Sequence, residues 1–372
     1  MAENHLEQFI EKVAFPCISE TLKTFVVDFD SKKEDLKTSY IASLTETFQK
    51  VQEFTKQTNK PIDCLAFTLS RTNLLYGRSV YDIHIYDEAW YMKNYIKVGE
   101  LDVSYFFQPL EVAKKHIQAE GKKYVGKIDA SDIDNIISLS FEPFSHFFIK
   151  IFRYSMPDVV ESDAYKGIAK SNDFTIYTGE MYETVHTLYR ENKKRMDFNQ
   201  LLAYLDLEEF CENLDLRKSN FIEVELANAN LPCADFSESV LKNIDFSNAM
   251  LEGALFVNCD LTYTIFRGAE LAEANFLNAD LRNSDLSDIF VICGKNESSE
   301  GDLSYYLPVN FQGADLRKAT IENAVLDGVD FTNTQVEDIS FENTDLSRCK
   351  FKSMQLQQLK LTEIQRSQIV VV

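Results

Sequence analysis

The sequence has no long apolar run: none reaches the roughly 18 residues that spanning a bilayer requires. The opening MAENHLEQFIEKVAFP also lacks a basic segment followed by an apolar one. Together these absences predict a soluble, cytoplasmic protein. The catalytic signatures GxGxxG, GxSxG, HExxH and GxxxxGK followed by Ser or Thr are missing too. The seven cysteines are odd in number and show no CxxC spacing, so they read as reduced and structural rather than as zinc ligands. The five histidines, His5, His84, His116, His146 and His186, are isolated from one another in sequence. Nothing here nominates an enzyme, a metal site or a cofactor. Basic charge is scarce as well: the net charge of −21 excludes nonspecific attraction to nucleic acid or anionic membranes.

What the sequence has is a period of five. Every fifth residue from Leu216 to Leu286, and again from Phe311 to Leu361, is large and apolar, 26 residues in all. Phe236, Phe246, Phe256, Phe266 and Phe276 belong to this column, as do Phe311, Phe331 and Phe341. Two residues before each stands a mostly small residue, such as Ala229, Ala234, Ala254, Cys259, Ala269, Ala274 or Ala314, and Asp or Asn lies between at about half of the positions. Five matches neither the roughly 3.6-residue period of a helix nor the two-residue period of a strand. It suits a solenoid in which each repeat forms one short side of a coil stacked on the coil below.

The pattern A(D/N)LXX resembles the pentapeptide-repeat family. The resemblance implies a right-handed quadrilateral β-helix over 213–361, four repeats to a coil, with the large and small columns both pointing inward. The five-residue frame lapses after Ile289-Phe290-Val291 and returns at Asn310-Phe311, which places a projecting loop at 292–309. Residues 362–372 read as a short tail.

Residues 1–195 carry mixed signals and form an α/β domain of unrecognised type. Leu6, Phe9, Ile10 and Val13 have helical spacing, and Pro16 predicts a break. Ser31 reads as the N-cap of a second helix that ends near Asn59-Lys60-Pro61. Ile62–Leu69 and Val80–Tyr86 read as strands joined by a turn at Arg71–Gly77. Asp82 and His84, beside Asp87 and Glu88, hint at a metal site, but without a second ligating histidine they suit the polar outer face of a strand. An aromatic segment at Trp90–Phe107 precedes a helix expected to open at Pro109 and stop at Gly121. A longer helix, from Asp132 to Tyr154 with an interruption at Pro143, is dense in Phe, which suits a core more than a pocket. Met156-Pro157-Asp158 reads as a loop, Phe174–Thr178 as a strand and Tyr182–Asn192 as a helix. Lys193-Lys194-Arg195 reads as a solvated linker. Asp197 and Gln200 form a capping box for a helix over 196–212, placed to close the exposed end of the solenoid.

The resemblance also raises protection of DNA gyrase or topoisomerase IV by an acidic rod that imitates duplex DNA. Between Glu212 and Leu361 there are 25 acids and 12 bases, but 11 of the acids occupy the Asp/Asn column that the repeat itself favours. On the two freely outward positions of each repeat, 11 acids face 9 bases, so the acidity comes mainly with the fold. The leading expectation is therefore a non-enzymatic scaffold for a protein or peptide partner, with no direct contact to nucleic acid or membrane and an open oligomeric state; a third reading is an accessory to an enzyme encoded nearby, or an unrecognised enzyme domain in residues 1–195. Its loop would bind through Cys293, Lys295, Glu297, Glu300, Asp302, Tyr305 and Tyr306. Its wall would bind through Lys242, Arg282, Arg317 and Lys318, which fall on one wall if the loop replaces only one side of a coil.

Overall fold

The computed structural model describes residues 5–86, 95–180, 185–192, 197–206, 213–221, 224–291, 294–295 and 305–372. Two units, 1–191 and 192–372, separate by their internal packing. In the first, α1 (His5–Phe9) passes through a wide π turn at Ile10–Ala14 into α2 (Phe15–Thr58). The break expected at Pro16 and the fresh start at Ser31 do not occur. Pro16 falls in the first turn of α2, where its missing N–H costs nothing, and the π turn before it takes up the change of register. Ser31 does not cap; its hydroxyl donates to the carbonyl of Asp28 at 2.7 Å. The helix stops where expected, with Asn59 left-handed at φ 52° and Pro61 following.

β1 (Ile62–Leu69) and β2 (Val80–Tyr86) match the expected strands, although a short helix, α3 (Arg71–Leu75), replaces the turn between them. With β3 (Tyr95–Asp102), β4 (Lys170–Glu180) and β5 (Val185–Asn192) they form a sheet in the order β3-β2-β1-β4-β5. β1 is antiparallel to β2 and parallel to β4. The crossover between them holds α4 (Ser104–Gly121), α5 (Ala130–Leu139), α6 (Glu142–Val159) and α7 (Asp163–Lys166). α4 opens ahead of Pro109, at Ser104, where the Asp102 carboxylate accepts from the Ser104 N–H at 2.8 Å. Pro143 sits in the first turn of α6, so the interruption between α5 and α6 is real. The loop expected at Met156-Pro157-Asp158 is helical instead, because Met156 and Val159 are both buried and hold the last turn of α6. The helix expected over Tyr182–Asn192 is also overturned. Residues 185–192 pair as a strand, with Leu188 and Tyr189 buried and Arg190 forked onto Asp173 of β4 at 2.8–2.9 Å. Tertiary pairing outweighs local propensity there.

The Phe-rich segments make the core. Phe148 of α6 stacks on Tyr81 of β2 at 4.6 Å, Phe152 meets Phe67 of β1 edge-on at 5.2 Å, and Phe147 touches Phe25 and Phe29 of α2 at 5.0 and 4.9 Å. Such offset and edge-on pairs add to the area they bury. No helix among the described residues is long and apolar enough to cross a membrane.

The second unit opens with α8 (Phe198–Asp206), whose capping box forms as expected: Asp197 and Gln200 exchange hydrogen bonds of 2.9 and 3.0 Å. Leu201 of α8 is buried in the same core as Leu214 and Leu216, at the first coil. From there the bridges join residue i to residue i+20 except at the insertion described below, as in Asp215↔Asp235↔Leu255↔Asn275, so one coil holds four pentapeptides. Each side is bonded to the next coil by backbone pairs such as Leu226 N–H to Asp245 C=O (2.7 Å), Asn228 N–H to Ser247 C=O (2.8 Å) and Asp245 N–H to Val224 C=O (3.1 Å).

The large and small columns are both buried: Phe236, Phe246, Phe256, Phe266, Phe276, Phe311 and Phe331 are fully enclosed and Phe341 nearly so, as are Ala234, Ala269, Ala274 and Ala314. Phe recurs at every second repeat because a narrow tube alternates bulky and slimmer sides. Phe236, Phe256, Phe276, Phe311, Phe331 and Phe351 form one continuous stack with 4.9–5.7 Å between ring centroids. Phe246 and Phe266 stack on the opposite side at 5.3 Å and meet the first stack edge-on.

In most repeats the second residue after the column member turns the corner with a positive φ. Asn228, Asn243, Asn248, Asn258, Asn278 and Asn283 do so, and Gly253, Gly268, Gly313 and Gly328 take the same position. Asn and Gly are the residues that tolerate it best.

The far end is closed by side-chain amides that imitate the peptide groups of a further coil. Gln355 donates to the carbonyls of Phe331 and Thr334 at 2.7 and 2.8 Å, and Gln365 to those of Phe341 and Thr344 at 2.7 and 3.0 Å. Gln365 lies in α9 (Glu363–Gln368), which carries its own capping box with Thr362. The expected tail then returns to the ladder: Val370–Val371 pairs in parallel with Lys350–Phe351, again one coil back.

Candidate functional site: the coil walls and the inserted hairpin

The Asp of the outward column serves the fold first. In Asp235, Asp245, Asp285, Asp315 and Asp345 one carboxylate oxygen accepts the backbone N–H two residues on, at 2.8–3.1 Å. This pins each corner. Burial pushes the Asp235 carboxyl up to about 6, against the pull of nearby Arg217 and the bond from Ser237.

The bridges Val240↔Asp260↔Asp280↔Asp315 place Lys242, Thr262, Arg282 and Arg317 one above another on the side of Leu241, Leu261, Leu281 and Leu316. Lys318 stands at the next corner, exposed, at φ 61°. The four expected wall residues are thus brought together. They do not form a bare cationic patch. Lys242 pairs with Asp260 at 2.9 Å, Arg282 with Asp280 at 2.6 Å and Arg317 with Asp315 at 2.6 Å. The wall is an alternating ladder of charge, and Tyr263 stands exposed on it.

The insertion leaves the coil without disturbing it. Asn275, Asp280, Asp285 and Phe290 pair with Asn310, Asp315, Thr320 and Val325, a step of 35 positions along the chain where every other rung takes 20. The length of three whole pentapeptides therefore lies outside the coil. Lys295 belongs to a short strand, Gly294–Lys295, that pairs antiparallel with Tyr305–Tyr306, so the insertion is a hairpin at its root. Cys293, Glu297, Glu300 and Asp302 lie outside the described residues. The expected loop was drawn too long at its far end. Val309 occupies the small inward column and Leu307 is buried, with its N–H donated to Glu273 at 3.0 Å.

The hairpin emerges between the side of Leu251, Leu271 and Val291 and the side of the long Phe stack. One whole side separates it from the column of Lys242, Arg282 and Arg317, so the structure does not join the two expected surfaces. Beside the hairpin root stands Phe290, 61 % exposed at a position where the repeat places Asp or Asn. Its signal in the sequence is an aromatic residue in the Asp/Asn column.

In the first unit, His84 is not on an exposed face. It is 2 % exposed, with Nδ1 2.8 Å from the Thr68 hydroxyl, and burial lowers its affinity for a proton. Asp82 pairs with Lys97 at 2.8 Å, while Asp87 and Glu88 lie outside the described residues. His146 and His186, distant in sequence, meet edge-on at 5.8 Å. Among the described residues no cluster of His, Cys, Asp or Glu could hold a metal ion. Trp90, Tyr91 and Lys193-Lys194-Arg195 are likewise outside the described residues.

Residues 211–288 and 310–362 match the family model of pentapeptide repeats, in eight copies. Among solved structures the chain is similar to the pentapeptide-repeat protein Rfr23 of the cyanobacterium Cyanothece 51142. Identity is 24 % over 40 % of this chain and 99 % of that one, with a TM-score of 0.23. It is similar to a trypsin-treated form of QnrB1, a plasmid-mediated fluoroquinolone resistance protein, at 16 % identity over 44 % and 86 % of the two chains, TM-score 0.29. The likeness to HetL of Nostoc sp. strain PCC 7120, involved in heterocyst differentiation regulation, is 19 % over 42 % and 86 %, TM-score 0.15. No curated protein matches the chain.

Proposed function

We propose that the pentapeptide-repeat unit is a non-enzymatic, cytoplasmic scaffold that presents its hairpin, together with the N-terminal α/β unit, to a protein or peptide partner. The coil is taken as right-handed and quadrilateral, and α8 as its cap. The observation that carries the reading is the hairpin rooted beside exposed Phe290 in an otherwise unbroken ladder. The fold does not need the inserted segment, and loops that a rigid scaffold carries without needing them are where binding residues concentrate. A pre-formed wall around the root lowers the ordering cost of binding.

The test replaces residues 294–305 with a short Gly/Ser link, keeping Leu307 and Val309, and compares this variant, Phe290→Ala and the parent chain in quantitative affinity capture. Partner binding should fall for both variants while the thermal midpoint stays within about 2 °C, as expected of surface changes of a few tenths of a kcal/mol. Unchanged capture by both would remove the hairpin from the reading.

The alternative, a DNA-imitating protector of gyrase or topoisomerase IV, draws support from the column of Asp along the coil. Against it stand Lys242, Arg282 and Arg317, each neutralising an Asp of that column on one whole side. Titration into gyrase at low and high salt, with and without a quinolone, separates the readings. A DNA imitator should act at stoichiometric concentration and lose its effect steeply with salt.

A further inference from the structure

The ladder of the second unit does not end symmetrically. Gln355 and Gln365 stand in for further peptide groups on two opposite sides, but beneath Phe351 the chain adds one more rung, Val370–Val371. Val370 N–H bonds Cys349 C=O at 2.8 Å and Val372 N–H bonds Phe351 C=O at 3.0 Å, so both face back toward the coil. By the alternation of the ladder, the N–H and C=O of Val371 face the other way, where the next coil would lie. Val371 also continues the inward column of the long Phe stack and is nevertheless 52 % exposed. Among the described residues an apolar core position and an unpaired strand edge therefore meet at one place.

The charges beside it are unlike most of those on this tube. Arg217, Lys218, Lys242, Arg267, Arg282, Arg317 and Arg348 each lie within 4 Å of a carboxylate. Among the described residues Lys318, Lys350, Lys352, Lys360 and Arg366 have no such carboxylate; of these Lys350 and Lys352 stand directly above the last rung, and Lys352 reaches the Asn333 side-chain oxygen at 2.8 Å. Lys350 and Lys352 line an open groove of about 720 Å³ with Asp330, Thr332, Ser353, Met354 and Val372.

We propose that this edge binds an extended acidic peptide segment as the next rung of the coil. Its backbone pairs with Val371, an apolar side chain seats under Val371, and carboxylates on the flanking residues reach up to Lys350 and Lys352. The distance suits the chemistry: two rungs span about 10 Å, which a lysine and a glutamate side chain bridge together. A second copy of this chain fits less well, because edge-to-edge pairing would gather two sets of Lys350 and Lys352 on one wall. The proposal is independent of the hairpin.

The test measures binding of fluorescently labelled Glu-Val-Glu-Val-Glu and Lys-Val-Lys-Val-Lys peptides to the full chain by anisotropy, with ultracentrifugation alongside. The acidic peptide should bind at least tenfold more tightly than the basic one. Val371→Pro removes the outward N–H and leaves the bonds of Val370 and Val372 intact, so it should abolish binding without changing the thermal midpoint. A Lys350→Glu/Lys352→Glu double variant should invert the preference between the peptides. Equal binding of both peptides, no binding of either, or wild-type binding by Val371→Pro overturns the proposal. So does a dimer that Val371→Pro dissociates, which would assign the edge to a second copy.

Discussion

At the scale of the residue, the tube is a volume constraint repeated at every fifth position. Ala269 and Ala274 are enclosed, so Ala269→Leu or Ala274→Leu forces extra atoms into a filled interior and should cost about 1–3 kcal/mol, read as a lower thermal midpoint. The corner position is constrained by both backbone and space. Gly313 sits at φ 71°, and a Cβ there would fall 2.1 Å from the Asn278 side-chain oxygen, so Gly313→Ala should lower the midpoint although the change is one methyl group. Asp235 supplies the pH dependence. Its folded pKa, about 6, lies above the ordinary carboxylate value, so the folded state holds the proton more tightly and stability falls as pH rises from about 4 to 6. Asp235→Asn keeps an oxygen for the Ser237 N–H and should flatten that part of the stability–pH curve, leaving the protein about 1–3 kcal/mol more stable at pH 7. The inward columns were legible because a single residue class recurs without exception. The corner column was less legible: Asn and Gly recur there from Asn228 onward, but Cys233, Glu238, Tyr263 and Glu273 take the same left-handed corner, so it shows its meaning only beside the positive φ values.

At the scale of the element, legibility followed whether local chemistry or distant packing decides. The strands β1 and β2 and the capping box at Asp197 were readable because alternation and caps act within a short stretch of chain. Ser31 looked like a helix start, yet α2 runs through it because Phe29, Tyr40 and Leu44 share one buried stripe. β5 has helical local signals, but Asp173 and the edge of β4, distant in sequence, decide that it pairs as a strand. The walls were legible only in part: that Lys242, Arg282 and Arg317 share a side followed from counting, and Arg282 and Arg317 stand two residues from their partners Asp280 and Asp315, but the pairing of Lys242 with Asp260 needed the coil spacing. At the closing end, Gln365→Ala removes two bonds to buried carbonyls and should cost about 1–3 kcal/mol by leaving them unpaired, measured by denaturant unfolding.

At the scale of the whole molecule, the two units have separate cores. The first is built of Phe25, Phe67, Phe148 and their neighbours, the second of the inward columns of the coil. A fragment ending at Glu191 should therefore be soluble and melt cooperatively, checked by calorimetry. Aggregation of that fragment would show that its core needs the second unit.

The hairpin also shows that the coil has two nested reading frames. Loss or gain of one pentapeptide keeps every large side chain inward, but slides all later repeats by one side. The hairpin avoids this because its residues never enter the winding, and Phe311 comes to rest under Phe276 at 5.2 Å. Excising a single pentapeptide upstream would instead set phenylalanine beneath leucine at the junction between the coils before and after the cut, although the later coils would keep their register with one another. The alternation of Phe and Leu thus works as a parity check, by which the chain tells a tolerated detour from a frameshift.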